Sequence, residues 1–293
     1  MAVFHNVGLI GKPGDERVAD ALEALAAFFQ ARSIAPYIDS ETATAFPALS
    51  PERGSIDALG ERCDLIIIVG GDGTFLNAAG RLLEHDVRLL GIHLGRLGFL
   101  ADLTPDEMLT RLEAILAGEF EEEQRFLLEA EVIRNGNSLM RSPAINDVVV
   151  HKWNMARLIE FQSYVDTHLV AHQRSDGLIV STATGSTAYA LSGGGPIVHP
   201  RLDAIVLVPI CPHTLTSRPI VVNGDSAIEV VMGNVGTGEA QISCDGQAML
   251  ELARDDRVRI RKKQRRLKLI HPKGYDYFAM LRTKLHWDWG RET

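Results

Sequence analysis

The chain has 293 residues, 46% of them hydrophobic and 23% charged, with 38 acidic against 30 basic side chains and a net charge of −8. That length suffices for two domains with cores of their own, and the acidic balance argues against a nucleic-acid binder. No apolar run approaches the roughly 20 residues that span a bilayer, and the N-terminus lacks the charged-then-apolar layout of a signal peptide. Cys63, Cys211 and Cys244 are scattered, with no Cys-x-x-Cys pair. They suggest reduced structural thiols in the cytoplasm, with no disulfide framework and no protein metal site.

Val3 to Gly11 reads as a first strand. Gly8 to Pro13 invites a nucleotide-loop reading, but its spacing fits neither Gly-x-Gly-x-x-Gly nor a Walker loop, so it reads as a turn at a sheet edge. Asp15 to Arg32 follows as a helix, with Val18, Leu22, Leu25, Ala26 and Phe29 on one face. Ile34 to Ile38 is a second strand. Residues 40–63 carry a mixed pattern that places no more than one short helix.

Leu65 to Val69 is a run of five apolar residues, three of them isoleucine. So short and β-branched a run predicts a strand buried on both faces, as in a parallel sheet covered by helices. It ends in Gly70, Gly71, Asp72, Gly73 and Thr74, and helical spacing resumes at Phe75, Leu76, Ala79, Leu82 and Leu83. Glycines allow positive φ and close approach of a ligand to the backbone. The helix start aims free N–H groups and a positive dipole end at the same point, which suits a phosphate. A carboxylate inside such a cradle opposes anion binding. Asp72 therefore reads as holding a metal or as taking a proton from a hydroxyl that attacks phosphorus.

Arg88 to His93 is a further strand, leading into Gly91 to Phe99 (GIHLGRLGF). Strand and helix have alternated to this point, which predicts a doubly wound α/β domain. Thr104, Pro105 and Glu107 form a capping box that starts a helix running to about Ala117. Glu119 to Glu123 reads as a solvated acidic linker. Beyond Phe126 short alternating strands dominate: 128–133, 144–150, 158–165, 178–182, 204–209, 227–232 and 239–244. They predict a mostly antiparallel β domain. The basic run Arg259 to Lys268 reads as an exposed strand and turn, and Tyr275 to Trp287 as an amphipathic helix.

The phosphate turn resembles one shared by NAD kinases, diacylglycerol and sphingosine kinases and, with Ser for Thr, phosphofructokinases, all of which transfer phosphoryl groups to hydroxyls. Asp176 to Pro196 (DGLIVSTATGSTAYALSGGGP) narrows the choice. Its hydroxyls, the ring of Tyr189 and its glycines suit a polar heterocycle with a ribose, and the string is similar to the long motif of NAD kinases. The segment 91–99, the pair Asn146 and Asp147, and Pro209 to Ile220 resemble that family's remaining motifs in order, closest to bacterial members. His93 stands where the family usually has Asn, which affects that loop's contacts. Ala183 replaces a common Pro, which removes some loop rigidity.

The resemblance implies transfer of a phosphoryl group from ATP, with Mg²⁺ or another divalent cation, to NAD⁺ at the 2′-hydroxyl of its adenosine ribose. It implies an α/β N-terminal domain, a sandwich-like β domain, and assembly as a homodimer or homotetramer. The expected boundaries are 1–120, 121–268 and a C-terminal helix, 269–293, packed on the first domain or on a partner. Asp72 would be catalytic and also touch NAD, while Gly70, Gly71, Gly73 and Thr74 shape the phosphate turn. Asn146 and Asp147 would serve adenine and the nicotinamide ribose, with Asp176, Thr187 and Tyr189 at the adenine end. Ala188, Ala190, Leu191 and Ser192 belong to the same NAD-binding run. Arg157, Arg174 and Gln247 complete the set, although either arginine would equally serve a surface ion pair. A lipid or sugar kinase would share the phosphate turn without the 176–196 string, and a non-catalytic NADP sensor would lack Asp72.

Overall fold

The computed structural model describes residues 3–49, 51–95, 97–153, 157–236 and 238–287. The chain divides into two units, 1–124 with 267–293, and 125–266.

The first unit alternates strand and helix: β1 (Val7–Gly11), α1 (Glu16–Gln30), β2 (Pro36–Asp39), α2 (Ser40–Ala45), β3 (Glu52–Gly54), α3 (Ile56–Arg62), β4 (Leu65–Val69), α4 (Asp72–Leu82), β5 (Arg88–Ile92), α5 (Pro105–Leu116) and β6 (Phe120–Arg125). The mixed stretch 40–63 thus holds two helices and a short strand. Local capping explains them: Asp39 accepts from the Thr42 amide at 3.1 Å and Ser55 Oγ from the Ala58 amide at 3.2 Å. β1 to β5 pair in parallel, and all five residues of β4 are buried, as its β-branched run requires. The core gathers Leu9, Leu22, Leu25, Phe29, Ile67 and Leu90 from sheet and helices.

Two expectations are corrected here. The acidic Glu119–Glu123 stretch is no linker, because β6 closes the edge of this sheet and Glu123 is buried. β1 is no edge strand either. The order of the earlier strands is β3-β2-β1-β4-β5, so β1 lies inside the sheet and the order reverses between it and β4.

The second unit is entirely antiparallel in its strand pairing. Its strands are β7 (Leu128–Arg134), β8 (Asn137–Ala144), β9 (Asp147–Lys152), β10 (Ile159–Val165), β11 (His168–Ser175), β12 (Gly177–Ser181), β13 (Ala204–Ile210), β14 (Ile220–Asn223), β15 (Ile228–Met232), β16 (Ala240–Cys244), β17 (Gln247–Leu252) and β18 (Arg257–Lys262). One six-stranded sheet runs β11-β10-β15-β18-β7-β8 and the other β14-β13-β12-β9-β16-β17, and their inner residues share one apolar core. Alternation is clean in the first sheet, where Leu128, Ala130 and Val132 point inward from β7. β9 and β12 are instead buried on both faces. The segment after β12 folds back over the second sheet, and a Cβ at Gly193 would meet Val208 at 2.8 Å.

The final strand, β19 (Leu267–Pro272), joins the first sheet between β5 and β6. Residues 269–272 are therefore strand, and the C-terminal helix is α6 (Tyr277–Leu285), capped by Asp276. Its Lys284 ammonium lies 4.8 Å from the ring centre of Phe99. Residues 288–293 of the expected helical segment, and Arg96 of the 91–99 loop, lie outside the described residues.

Candidate active site

The turn after β4 keeps its sheet pairing to the end, with the Gly70 amide donating to Ile92 O at 2.8 Å. Gly71 caps α4 in extended geometry, φ −92°, and neither it nor Gly70 nor Gly73 has positive φ. The glycines are there for space instead. A Cβ at Gly70 would press on Thr74 Oγ1 at 2.7 Å, while Gly71 and Gly73 border open room.

That room is a hollow of about 430 Å³ lined by Lys12, Gly71, Gly73, Thr74, Asn77 and Arg81, among others. It lies outside the carboxyl ends of β1 and β4, where the strand order reverses, and open α/β sheets bind ligands at such a switch point. The Gly11–Lys12 turn thus belongs to the hollow, which the sequence spacing did not reveal. Thr42 Oγ1 accepts from the Gly11 amide at 3.0 Å and ties down the end of β1. Arg81 is paired with Glu41 at 3.2 Å, and both are exposed enough for a ligand phosphate to compete.

Asp72 is the first residue of α4, where the helix dipole favours its charge. Its Oδ2 accepts from the Phe99 amide at 2.9 Å and its Oδ1 from the Leu100 amide at 3.1 Å. A Cβ at Gly98 would overlap that carboxylate. The last glycine of the 91–99 segment is therefore explained by Asp72, a link invisible in sequence. In the same loop the buried His93 donates Nδ1–H to Gly95 O at 3.0 Å, while Nε2 finds no hydrogen-bond partner among the described residues.

In the second unit a hollow of about 340 Å³ is lined by Asn146, Asp147, His151, Ala188, Tyr189 and Asp245. Asp245 and Gly246 form the two-residue turn from β16 to β17, both with positive φ (49° and 78°) as a type I′ hairpin requires. The Asp245 carboxylate accepts from the amides of Ile145, Asn146 and Asp147 at 2.8, 2.7 and 3.1 Å. It sets the Asn146–Asp147 corner, and sequence reading missed it because Asp-Gly between strands is an ordinary hairpin signal. Burial, reinforced by the charge of Asp245, pushes the Asp147 carboxyl up to about 7. Burial raises Asp245 as well, against its three amide donors.

Most hydroxyls of the 181–187 run are spent on local backbone rather than turned outward. Thr182 Oγ1 donates to Ile145 O at 2.7 Å, Ser186 Oγ to Ala183 O at 2.6 Å and Thr187 Oγ1 to Thr184 O at 3.2 Å. They shape the segment that presents Tyr189, 48% exposed, to the hollow. On the short helix Tyr189–Ser192, Ala190 is buried, Leu191 half-buried and Ser192 exposed. Arg157 and Arg174 line a different hollow of about 650 Å³ with Glu160 and Glu239. The chain changes sheets between β11 and β12, so Asp176 faces Lys152 at 2.7 Å instead. Gln247 opens β17 and is exposed.

A phosphate turn at the switch point of a parallel sheet, joined to an antiparallel sandwich, defines a nucleotide-dependent phosphotransferase of two units. Residues 7–120 match the model of the ATP-NAD kinase N-terminal domain, and residues 145–272 that of the ATP-NAD kinase C-terminal domain. The chain is 49% identical over 284 residues to the NAD kinase of Nitrosococcus oceani, covering 97% of each. It is 48% identical over 287 residues to that of Chromohalobacter salexigens, covering 98% of each. Its fold resembles yeast NADH kinase complexed with NADH (TM-score 0.89, 23% identity, 99% of this chain and 89% of that one). It also resembles an NAD kinase from Archaeoglobus fulgidus in complex with ATP (TM-score 0.73, 24% identity, 95% and 99%). The chain belongs to the ATP-NAD kinase family and is an ATP-dependent kinase of NAD.

Proposed function

We propose that the chain transfers the γ-phosphoryl group of ATP to the 2′-hydroxyl of the adenosine ribose of NAD⁺, giving NADP⁺ and ADP, with Asp72 as the acid–base residue. The observation that carries this is the Asp72 carboxylate, fixed by two amides at the start of α4, with its neighbours Gly71 and Gly73 lining the switch-point hollow. Fixing matters because phosphoryl transfer draws most of its rate from alignment and charge stabilisation. Asp72 orients the hydroxyl and takes its proton as the bond to phosphorus forms.

ATP phosphates fit the same hollow, where Lys12 and Arg81 supply charge and the start of α4 supplies N–H groups. A divalent cation fits as a passenger of the nucleotide. Each Asp72 oxygen accepts a single N–H and keeps a lone pair. Among the described residues no cluster of three or more His, Cys, Asp or Glu could hold an ion by itself. When bound, Mg²⁺ would neutralise phosphate oxygens, taking few protein ligands.

On the dinucleotide, Asp147 accepts from two ribose hydroxyls, Asn146 bonds a base edge, and Tyr189 offers its ring for stacking. Gly73, Asp176, the 187–192 segment, Gln247, Arg157 and Arg174 complete the proposed NAD-binding set. A homodimer or homotetramer in the cytoplasm belongs to the same reading. Among the described residues, no helix is long and apolar enough to cross a membrane. The test is incubation with Mg-ATP and NAD⁺, with NADP⁺ detected by an NADP-specific dehydrogenase. Product bearing the new phosphate anywhere but the 2′ position, or none at all, would overturn the proposal.

A further inference from the structure

His271 on β19 is almost wholly buried, with 2% of its side chain exposed, and each ring nitrogen faces a carboxylate. Nδ1 hydrogen-bonds Asp102 Oδ2, and Nε2 lies 3.0 Å from Glu123 Oε2. Carboxylates that accept at both nitrogens select the doubly protonated ring. Burial pulls the imidazole down, but the bonds to Asp102 and Glu123 outweigh it and hold the group at about 9. Those are its charged neighbours, one from the 93–104 loop and one from β6. The Tyr275 ring stacks on it at 4.0 Å, and the Glu121 carboxylate turns to the Gly274 amide. α5 buries Met108, Leu112, Ile115 and Leu116, all apolar, and β5 sets Leu89 opposite Leu269.

The position of Asp102 gives this cluster a use. It lies two residues beyond Leu100, whose amide, with that of Phe99, holds the Asp72 carboxylate. Backbone pairing pins the same loop at Leu103, whose O accepts from the His93 amide at 2.8 Å and whose amide donates to Gly91 O at 3.3 Å, and Arg17 donates to Leu94 O at 2.9 Å. The side chain of Asp102 is a further anchor, on the side of the loop next to Leu100. Its Oδ2 meets His271, and its Oδ1 is buried with no hydrogen-bond partner among the described residues.

We infer that His271 is a positioning residue for phosphoryl transfer: its imidazolium, braced by Glu123, fixes Asp102 and hence the Phe99–Leu100 amides that aim Asp72. The inference rests on the acid–base reading of Asp72. His271 itself touches no reacting atom. A neutral ring keeps a single N–H, so it could no longer donate to both carboxylates, and the hold on Asp102 would loosen. A displacement of about 1 Å at a remote support can lower turnover about 100-fold.

The test follows kcat and KM across pH in the wild type, Glu123→Gln, His271→Gln and Asp72→Asn. Glu123→Gln keeps shape and removes one of the two charges that hold the imidazolium. It should move the alkaline fall of kcat down by about one pH unit, leave kcat near wild type at pH 6, and leave KM for NAD⁺ within about twofold at both ends. His271→Gln should lower kcat about 10- to 100-fold at every pH with KM for NAD⁺ little changed. If His271→Gln does not fold, the Glu123→Gln profile decides alone. A Glu123→Gln profile that overlays the wild type, or a His271→Gln effect confined to KM, would overturn the inference. Asp72→Asn separates the two failures. If it stays active, the acid–base reading has failed. If it is inactive while Glu123→Gln and His271→Gln match wild type, only the role of His271 has.

Discussion

Replacing Asp72 by Asn tests its proposed acid–base role, and the structure makes this substitution less silent than its size suggests. The carboxylate accepts amides on both oxygens, from Phe99 at 2.9 Å and Leu100 at 3.1 Å. Asn keeps one acceptor and turns an NH₂ donor against the other amide. Hydrogen bonds to a charged group contribute about 1.5–3 kcal/mol each, and an acidic residue at a helix start about 0.3–1 kcal/mol. A stability loss of roughly 2–4 kcal/mol is expected from those sums. It should appear as a lower melting temperature, with no effect on turnover by molecules still folded at 25 °C. The catalytic loss is separate. Acid–base groups contribute about 10²- to 10⁴-fold, or roughly 3–5 kcal/mol of barrier. The assay is NADP⁺ formation at saturating Mg-ATP, run well below the melting transition, with NAD⁺ affinity measured by calorimetry. kcat should fall at least about 100-fold while NAD⁺ still binds. More than half the wild-type kcat in a folded Asp72→Asn enzyme would remove Asp72 from the chemistry.

Gly98→Ala adds a methyl that overlaps the Asp72 carboxylate, so kcat should drop about 100-fold with KM for ATP nearly unchanged; wild-type turnover would show the loop gives way freely. Asp147 is held near 7 by burial and then by Asp245, and in its proposed role it would accept ribose hydroxyls fully only when ionised. KM for NAD⁺ should therefore rise as pH falls through about 7, and Asp147→Asn should flatten that dependence; a flat wild-type curve refutes it. The raised His271 stabilises the fold below the ordinary histidine range, and that contribution is lost as pH climbs through about 9. Thermal melts should thus drop between pH 7 and 10, and less so in His271→Gln. Cys63 and Cys244 are buried thiols, desolvation being the main cause that pushes both up to about 12, whereas Cys211 is exposed. A thiol reagent should modify one cysteine in the native enzyme and all three after denaturation; early labelling of Cys63 or Cys244 would show the burial to be wrong.

Local pattern in the sequence determined a good deal. The buried β-branched run with its glycine turn predicted β4, the turn and α4, since strand, glycine turn and amphipathic helix each leave a short-range signature, although the turn uses its glycines for space and not for positive φ. The Asn146–Asp147 pair and the 176–196 string were legible through their resemblance to NAD kinase motifs, and the structure brings Asn146, Asp147 and Tyr189 to one hollow. What lay beyond reach was every contact between residues distant along the chain. No periodicity states that β1 lies beside β4, so the Gly11–Lys12 turn read as an edge when it lines the hollow at the reversal of strand order. Glu123 looked like a solvated charge until β6 and the returning β19 brought it to His271, 148 residues away. Likewise the Asp245 turn looked like a plain hairpin until it met three amides of the 145–147 corner. A carboxylate's partner is set by which strands pair, and strand pairing is decided by the burial of whole sheet faces. That is a property of the assembled chain, so only the tertiary structure could say which acidic residues are solvated and which hold the site in place.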